Sequence, residues 1–289
     1  IQYFQHFWPQ DIIATVNEEG QVAESMADPK VCVVLDGTTV EEMTDEAARA
    51  NLAGADMVEV RFDRLFLIRP DPTISEEEEG ESVAMPPENE WETSEMSSVD
   101  VGAAIASLKE ALPLPVVFTV RPVSEGGFFP GIESERIDIL SKAIDSEVSW
   151  IDLELSIKGT ERKKLQSAAT KKGCQIIASK HDINGVPDAE AIVALVRENQ
   201  DSGNIVKFCG TANNHSDALQ IIEAATELTG EGLSHSLMAL NSGGDWPRLH
   251  APMLDQSLVY ATMRNEFRIS DKGLVNVRDL RDAWTLLEY

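Results

Sequence analysis

Basic residues are scarce in this chain. Twenty-four lysines and arginines stand against 50 aspartates and glutamates in 289 residues, a formal net charge of −26. Nucleic acid and anionic membrane both need a positive surface, so neither is expected as a partner. The excess acid reads as a solubilising surface. Long apolar runs are missing too: no stretch reaches eighteen consecutive apolar residues, which argues against a membrane-spanning helix. The opening residues have no basic stretch followed by an apolar one, so no secretory leader is expected. Cysteine is limited to Cys32, Cys174 and Cys209, far apart and each in an apolar stretch. That is a reduced, cytoplasmic pattern without a disulfide framework. No CxxC, HExxH or HxH spacing occurs, so no metal site is expected. No GxGxxG or GxxxxGK[ST] follows a strand, which counts against nucleotide binding.

What is present is alternation. Short β-branched runs fall at 31–37, 56–63, 115–122, 149–155, 174–182, 204–210, 234–242 and 257–263, and amphipathic helical patterns lie between most of them. Eight strand–helix repeats predict a parallel sheet closed into a (β/α)8 TIM barrel over residues 31–289, an α/β single domain. Residues 1–30 precede it, and "DIIATV" (11–16) reads as a strand across the bottom of the barrel. Residues 69–99 are acidic, hold Pro and Ser, and show no period. They read as a mobile insertion after the second strand.

Alternate residues of a strand face the same side. On that rule Glu59 shares a face with Arg61, Thr119 with Arg121, Asp152 with Glu154, Ser179 with His181, and Lys207 with Cys209. Their neighbours Val58, Val60, Val120, Leu153, Ile177 and Val206 are apolar and suit the strand–helix layer. The polar residues therefore point into the barrel, near the C-terminal strand ends where barrel enzymes carry their sites. Singly, each has a plain structural explanation as a core histidine, an ion pair or an edge lysine. Together, on five neighbouring strands, they imply a polar pocket for a small polar substrate, because each unpaired buried ion costs several kcal/mol. Lys207, in "NIVKFCG", is the unusual member. Burial beside Arg61, Arg121 or another cation disfavours an ammonium, and a neutral amine condenses with ketones. His181, one strand away, is placed to take a proton.

The motifs "VEVRFD", "FTVRPVSEGG", "IDLEL", "IIASKHD", "NIVKFCG" and "MALNSGGDWPR", in this order over roughly residues 31–289, resemble the type I 3-dehydroquinate dehydratases of the shikimate pathway. The resemblance implies dehydration of 3-dehydroquinate to 3-dehydroshikimate, in aromatic amino acid biosynthesis or in catabolism. It implies Lys207 as Schiff-base lysine, His181 as general acid/base and Glu125 as the acid that orients it. Glu59, Arg61 and Arg121 would hold substrate hydroxyls, and Arg248 the substrate carboxylate. Met238 and Tyr260 would line the pocket, and Ser270 would belong to the last loop. No cofactor or metal is implied, and a cytoplasmic homodimer is. One element departs from the pattern: Leu274 follows Gly273 where the family carries a glutamine, leaving Asn276, Lys272 or Ser270 to compensate. Two other readings remain open from sequence. One is a Schiff-base barrel of the aldolase kind, the other a non-catalytic, dehydratase-like binding or regulatory module.

Overall fold

Runs rich in valine and isoleucine suit a pleated surface covered on both faces, and all eight become strands. In the computed structural model, which describes residues 15–16, 22–23, 28–77 and 80–289, they are β1 (Lys30–Val34), β2 (Met57–Arg61), β3 (Val116–Thr119), β4 (Trp150–Glu154), β5 (Gln175–Asp182), β6 (Ile205–Ala212), β7 (His235–Asn241) and β8 (Leu258–Ala261). Neighbours pair in parallel in the order β7-β6-β5-β4-β3-β2-β1-β8.

Helices return the chain between them: α1 (Val40–Leu52), α2 (Val101–Ala111), α3 (Glu133–Asp145), α4 (Gly159–Lys172), α5 (Ala189–Asn199), α6 (His215–Leu228), the single turn α7 (Trp246–Leu249) and α8 (Val277–Leu286). Their starts are chemically marked. The side chains of Thr39, Asp100, Asp188, Asn214 and Asn276 each accept an N–H from the first turn of α1, α2, α5, α6 and α8, satisfying donors that the helix itself cannot.

Strand parity sorts the core into two layers. Val58, Val60, Ile151 and Leu153 face one set of helices, and Val206, Phe208, Leu237 and Ala239 face another. The opposite parity forms a separate cluster inside the barrel: Cys32, Met57, Val117, Ile177, Ile205, Cys209, Met238, Leu258 and Tyr260; Ile177, expected in the strand–helix layer, lies inside because it shares its parity with Ser179 and His181. Because these side chains come from seven of the eight strands, inward-facing positions are identified by contact as well as by alternation.

The barrel is nearly closed, and side chains finish what the backbone does not. Between β7 and β8, Ser257 N–H donates to His235 O at 2.9 Å and Ser236 Oγ to Leu258 O at 2.7 Å. Above these, Gln256 stands in for a strand residue. Its Oε1 accepts from Leu237 N at 2.8 Å and its Nε2 donates to Leu237 O at 3.0 Å.

Two regions outside the repeat differ from their sequence reading or escape it. The insertion, aperiodic in sequence, contains an antiparallel hairpin pairing Thr73–Glu77 with Gly80–Ala84. Its stem is closed by a bridge between Leu67 and Thr93. The strand expected over 11–16 lies mostly outside the described residues, and its last two, Thr15–Val16, pair antiparallel with Val22–Ala23.

Replacing Gln256 by Leu keeps the volume but orphans a buried N–H and a buried C=O of Leu237. Each orphan costs about 1–3 kcal/mol. Urea denaturation of Gln256→Leu should therefore show a clear loss of stability, and an unchanged midpoint would remove the seam role.

Candidate active site

Lys207 lies midway along β6, 3 % exposed, level with Ser179 on β5 and Ser236 on β7. Its Nζ is 3.6 Å from Glu59 Oε1 and 3.6 Å from Asp152 Oδ2, and 3.7 Å from the centroid of the Tyr260 ring. Its nearest charged neighbours are thus carboxylates, not the guanidinium groups expected from the sequence. The reason is register. Arg121 Nη2 takes Asp152 Oδ2 at 2.8 Å, the same oxygen that Lys207 faces, and Arg61 folds back on Asp63.

The floor of the site is a charge lattice around Arg121. Nη1 donates to Glu154 Oε1 at 2.7 Å, Ser179 Oγ at 3.0 Å and Asp152 Oδ1 at 3.2 Å, while Nη2 reaches Asp152 Oδ2 at 2.8 Å. Ser179 Oγ also donates to Asp152 Oδ1. Glu59 lies 3.9 Å from Nη2 and accepts from Thr119 Oγ1 at 2.8 Å. Burial alone would raise the Asp152 carboxyl, but Arg121 and Lys207 hold it below its ordinary range. Glu154 is pushed up to about 7 by burial and by the Asp152 charge, against the pull of Arg121 and Arg136.

Arg136, from α3, is the group that sequence reading missed. It is 1 % exposed and donates through Nη1 to Glu154 Oε2 at 2.5 Å and Val120 O at 3.0 Å, with the other side of its fork on Glu133. A charged residue on an amphipathic helix carries no sequence sign of pointing inward.

Above the floor stands His181, one inward position further up β5 than the Ser179 that pairs with Lys207. Glu125 Oε2 accepts from the His181 backbone N–H at 2.9 Å and lies 3.4 Å from Nδ1, while its Oε1 accepts from Ser156 Oγ at 2.5 Å. Burial, then the charges of Arg121, Lys207 and Arg61, push the His181 imidazole well below its ordinary pKa, so the ring is neutral at neutral pH. The "SEGG" glycines set this geometry. Gly126 turns at φ +78°, and a Cβ on Gly127 would fall 2.0 Å from Arg121 O.

The remaining predicted residues form the rim. Arg61 Nε and Nη2 fork onto Asp63 at 3.0 and 2.8 Å, and Asp63 also accepts from the N–H groups of Arg121 and Phe128. Met238 packs with Tyr260 and Cys209. Arg248 is buried at the β7–β8 seam, where Nε donates to Tyr260 O at 3.0 Å and Nη1 to the carbonyls of Ala239, Gly244 and Gly273. Its Nη2 makes no hydrogen bond among the described residues. Ser270 Oγ accepts from Leu274 N at 3.0 Å, and Asn276 is occupied in capping α8. The kept glycine of this loop, Gly273, has φ +66°, and a Cβ there would meet Asn241 O at 2.5 Å. The insertion also reaches this rim. Glu88 accepts from Arg64 at 3.0 and 3.1 Å and lies 3.4 Å from Arg264, which pairs with Asp36 at 2.8 Å. Burial would raise Glu88, but Arg64 and Arg264 hold it down to about 2.

A polar floor at mid-strand, with His181 and the loop residues above it towards the C-terminal strand ends, is the arrangement of a (β/α)8-barrel enzyme site. The chain belongs to the type I 3-dehydroquinase family, whose sequence model matches residues 31–289. It is thus a lyase of the dehydratase class, which sets aside the aldolase reading. The 3-dehydroquinate dehydratase of Desulfotalea psychrophila is 23% identical over 253 residues, 87% of this chain and 95% of that one. That of Methanothermobacter thermautotrophicus is 27% identical over 236 residues, 81% and 87% respectively. Among solved structures, the type I 3-dehydroquinate dehydratase of Clostridium difficile with covalently modified comenic acid superposes with a TM-score of 0.70 at 21% identity, covering 95% of this chain and 96% of that one. The Geobacillus kaustophilus 3-dehydroquinate dehydratase gives 0.72 at 20% identity, covering 91% and 92%. At such identities the superpositions establish the fold alone.

Removing Arg136 leaves Glu154 buried with a single guanidinium partner. Breaking a buried pair from one side costs about 3–5 kcal/mol. Arg136→Met should lose stability on that scale in urea denaturation, while Lys164→Met, which removes the exposed Lys164–Glu161 pair of α4 (2.9 Å), should cost less than about 1 kcal/mol. Equal effects would refute the lattice as a constraint.

Proposed function

We propose that the enzyme dehydrates 3-dehydroquinate to 3-dehydroshikimate through an imine on Lys207, with His181 moving the protons. The observation that carries this reading is a buried primary amine inside the barrel mouth with an imidazole held neutral on the adjacent strand. The covalently modified ligand named for the Clostridium difficile structure is in keeping with covalent chemistry in this fold.

Lys207 Nζ passes a proton to neutral His181 and attacks the C3 ketone as a free amine, and the carbinolamine hydroxyl then takes that proton from His181 and leaves as water, which gives a protonated imine. The positive nitrogen draws electrons from the adjacent C2–H bond, and neutral His181 takes that proton, leaving an enamine. The enamine pushes out the C1 hydroxyl, which receives the proton from His181 and departs as water. Water then hydrolyses the protonated imine, releasing 3-dehydroshikimate and returning Lys207 with the protons it started with. The water lost in forming the imine is returned in breaking it, so the net change is loss of one water. Glu125 orients the imidazole. Glu59, Arg61 and Arg121 shape the floor for substrate hydroxyls. Arg248 Nη2, with its sister nitrogens fixed on carbonyls, is the donor left for the substrate carboxylate. The Leu274 side chain has no hydrogen-bond donor and Asn276 is already used in capping α8, so the last loop holds substrate with fewer contacts.

Borohydride added with 3-dehydroshikimate should fix a stable adduct on the peptide bearing Lys207. Lys207→Ala should lose both adduct and turnover. His181→Ala should lower turnover by about 10²–10⁴-fold yet still form adduct, and normal turnover in that variant would remove the histidine from the mechanism.

The base must be unprotonated, and a lowered pKa keeps it so to lower pH. The kcat/KM profile should accordingly stay level through the ordinary histidine value, about 6.5, and fall only on the acid side of it. An acid limb centred at or above 6.5 would contradict the environment assigned to His181.

A further inference from the structure

Most polar groups of the floor are held by directed hydrogen bonds, but Lys207 Nζ is not. It makes no hydrogen bond to protein among the described residues. Both carboxylates near it stand at 3.6 Å, beyond a good N–H···O contact, and both are already engaged, Glu59 by Thr119 and Asp152 by Arg121 and Ser179. The amine also stands over the face of Tyr260, 3.7 Å from the ring centroid. Tyr260 is 4 % exposed, and its buried hydroxyl has no hydrogen-bond partner among the described residues. Hydrogen bonding therefore does not account for how the phenol is set, whereas contact between its ring and the amine does.

We propose that the π face of Tyr260 holds the positive charge on Lys207 Nζ, as ammonium before substrate attaches and as iminium afterwards. This rests on the imine reading above and goes beyond a lining role for the residue. During the reaction the nitrogen passes from three protons to one, so a directed N–H···O bond would be broken and remade at each step. Attraction to a ring quadrupole depends on the charge and not on the number of protons. It favours the iminium over the neutral carbinolamine before it and the neutral enamine after it. Because Lys207 and Tyr260 are both buried, the contact is at the strong end of its range. Tyr260 is then a catalytic residue in the strict sense, touching the reacting nitrogen.

The test varies the charge on the ring face while keeping its shape. Tyr260→Phe serves as the reference, and mono-, di- and trifluorophenylalanine are placed at the same position. Each protein is equilibrated with a fixed concentration of 3-dehydroshikimate, reduced with borohydride, and its adduct fraction on Lys207 read by mass. The adduct equilibrium should weaken stepwise with fluorination, by about tenfold or more across the series, the scale of a desolvated cation–π contact. Tyr260→Leu should lie below the end of the series. A flat fluorinated series would overturn the proposal and leave Tyr260 as a space-filler, since fluorination hardly alters ring size. Absence of any adduct in the unmodified enzyme would instead overturn the imine reading, and this inference with it.

Discussion

A guanidinium in the middle of a barrel has no water to solvate it, and Arg121 survives there only because acceptors surround it. Asp152, Glu154 and Ser179 take its N–H groups, and Glu59 stands near. That same demand brings four acidic or hydroxyl side chains from β2, β4 and β5 to one level. Once they are there, a further cation is welcome, and Lys207 fills that place. The lattice is closed on its outer side by Arg136, which offers Glu154 a second partner. Geometry in the site is therefore a consequence of charge balance. Each ion is positioned because leaving it unpaired would cost several kcal/mol.

The lattice also sets apart the two groups to which the proposed mechanism assigns the chemistry. Lys207 stands among carboxylates and against an electron-rich ring, surroundings that suit positive charge. His181, one level higher, faces burial and three cations, which refuse it a proton. Opposite environments on adjacent strands suit the proposed pairing of an iminium with a free base in one pocket. Glu125 belongs to the second environment. It fixes the backbone and the ring of His181 at once, and is itself held by Ser156.

Two side chains do for the barrel what backbone pairing does elsewhere. Gln256 and Arg248 bridge β7 and β8 through main-chain groups, so the seam that carries Tyr260 and Met238 is fixed by polar contacts and not by a ladder. Arg248 thereby couples barrel closure to the rim. On the other side of the mouth, the stem of the insertion is tied through Glu88 to Arg64 and Arg264, joining the loops after β1, β2 and β8.

Alternation of β-branched runs with helical patterns was enough to give eight strands, their order of use and the inward parity of Glu59, Arg121, Asp152, Glu154, His181 and Lys207. These depend on local periods of two and of 3.6 residues, which a sequence displays directly. It was enough, too, to single out Lys207, because a cation on a buried strand is anomalous wherever it pairs. What only the folded chain decided is which charges meet. Arg136 turns inward from a helix, Arg248 spends two of its three nitrogens on a seam, Arg61 folds onto Asp63, and carboxylates instead of guanidinium groups flank Lys207. Such pairings join residues tens of positions apart, and they follow from barrel register and from the competition among buried ions for partners, neither of which has a signature in the order of neighbouring residues.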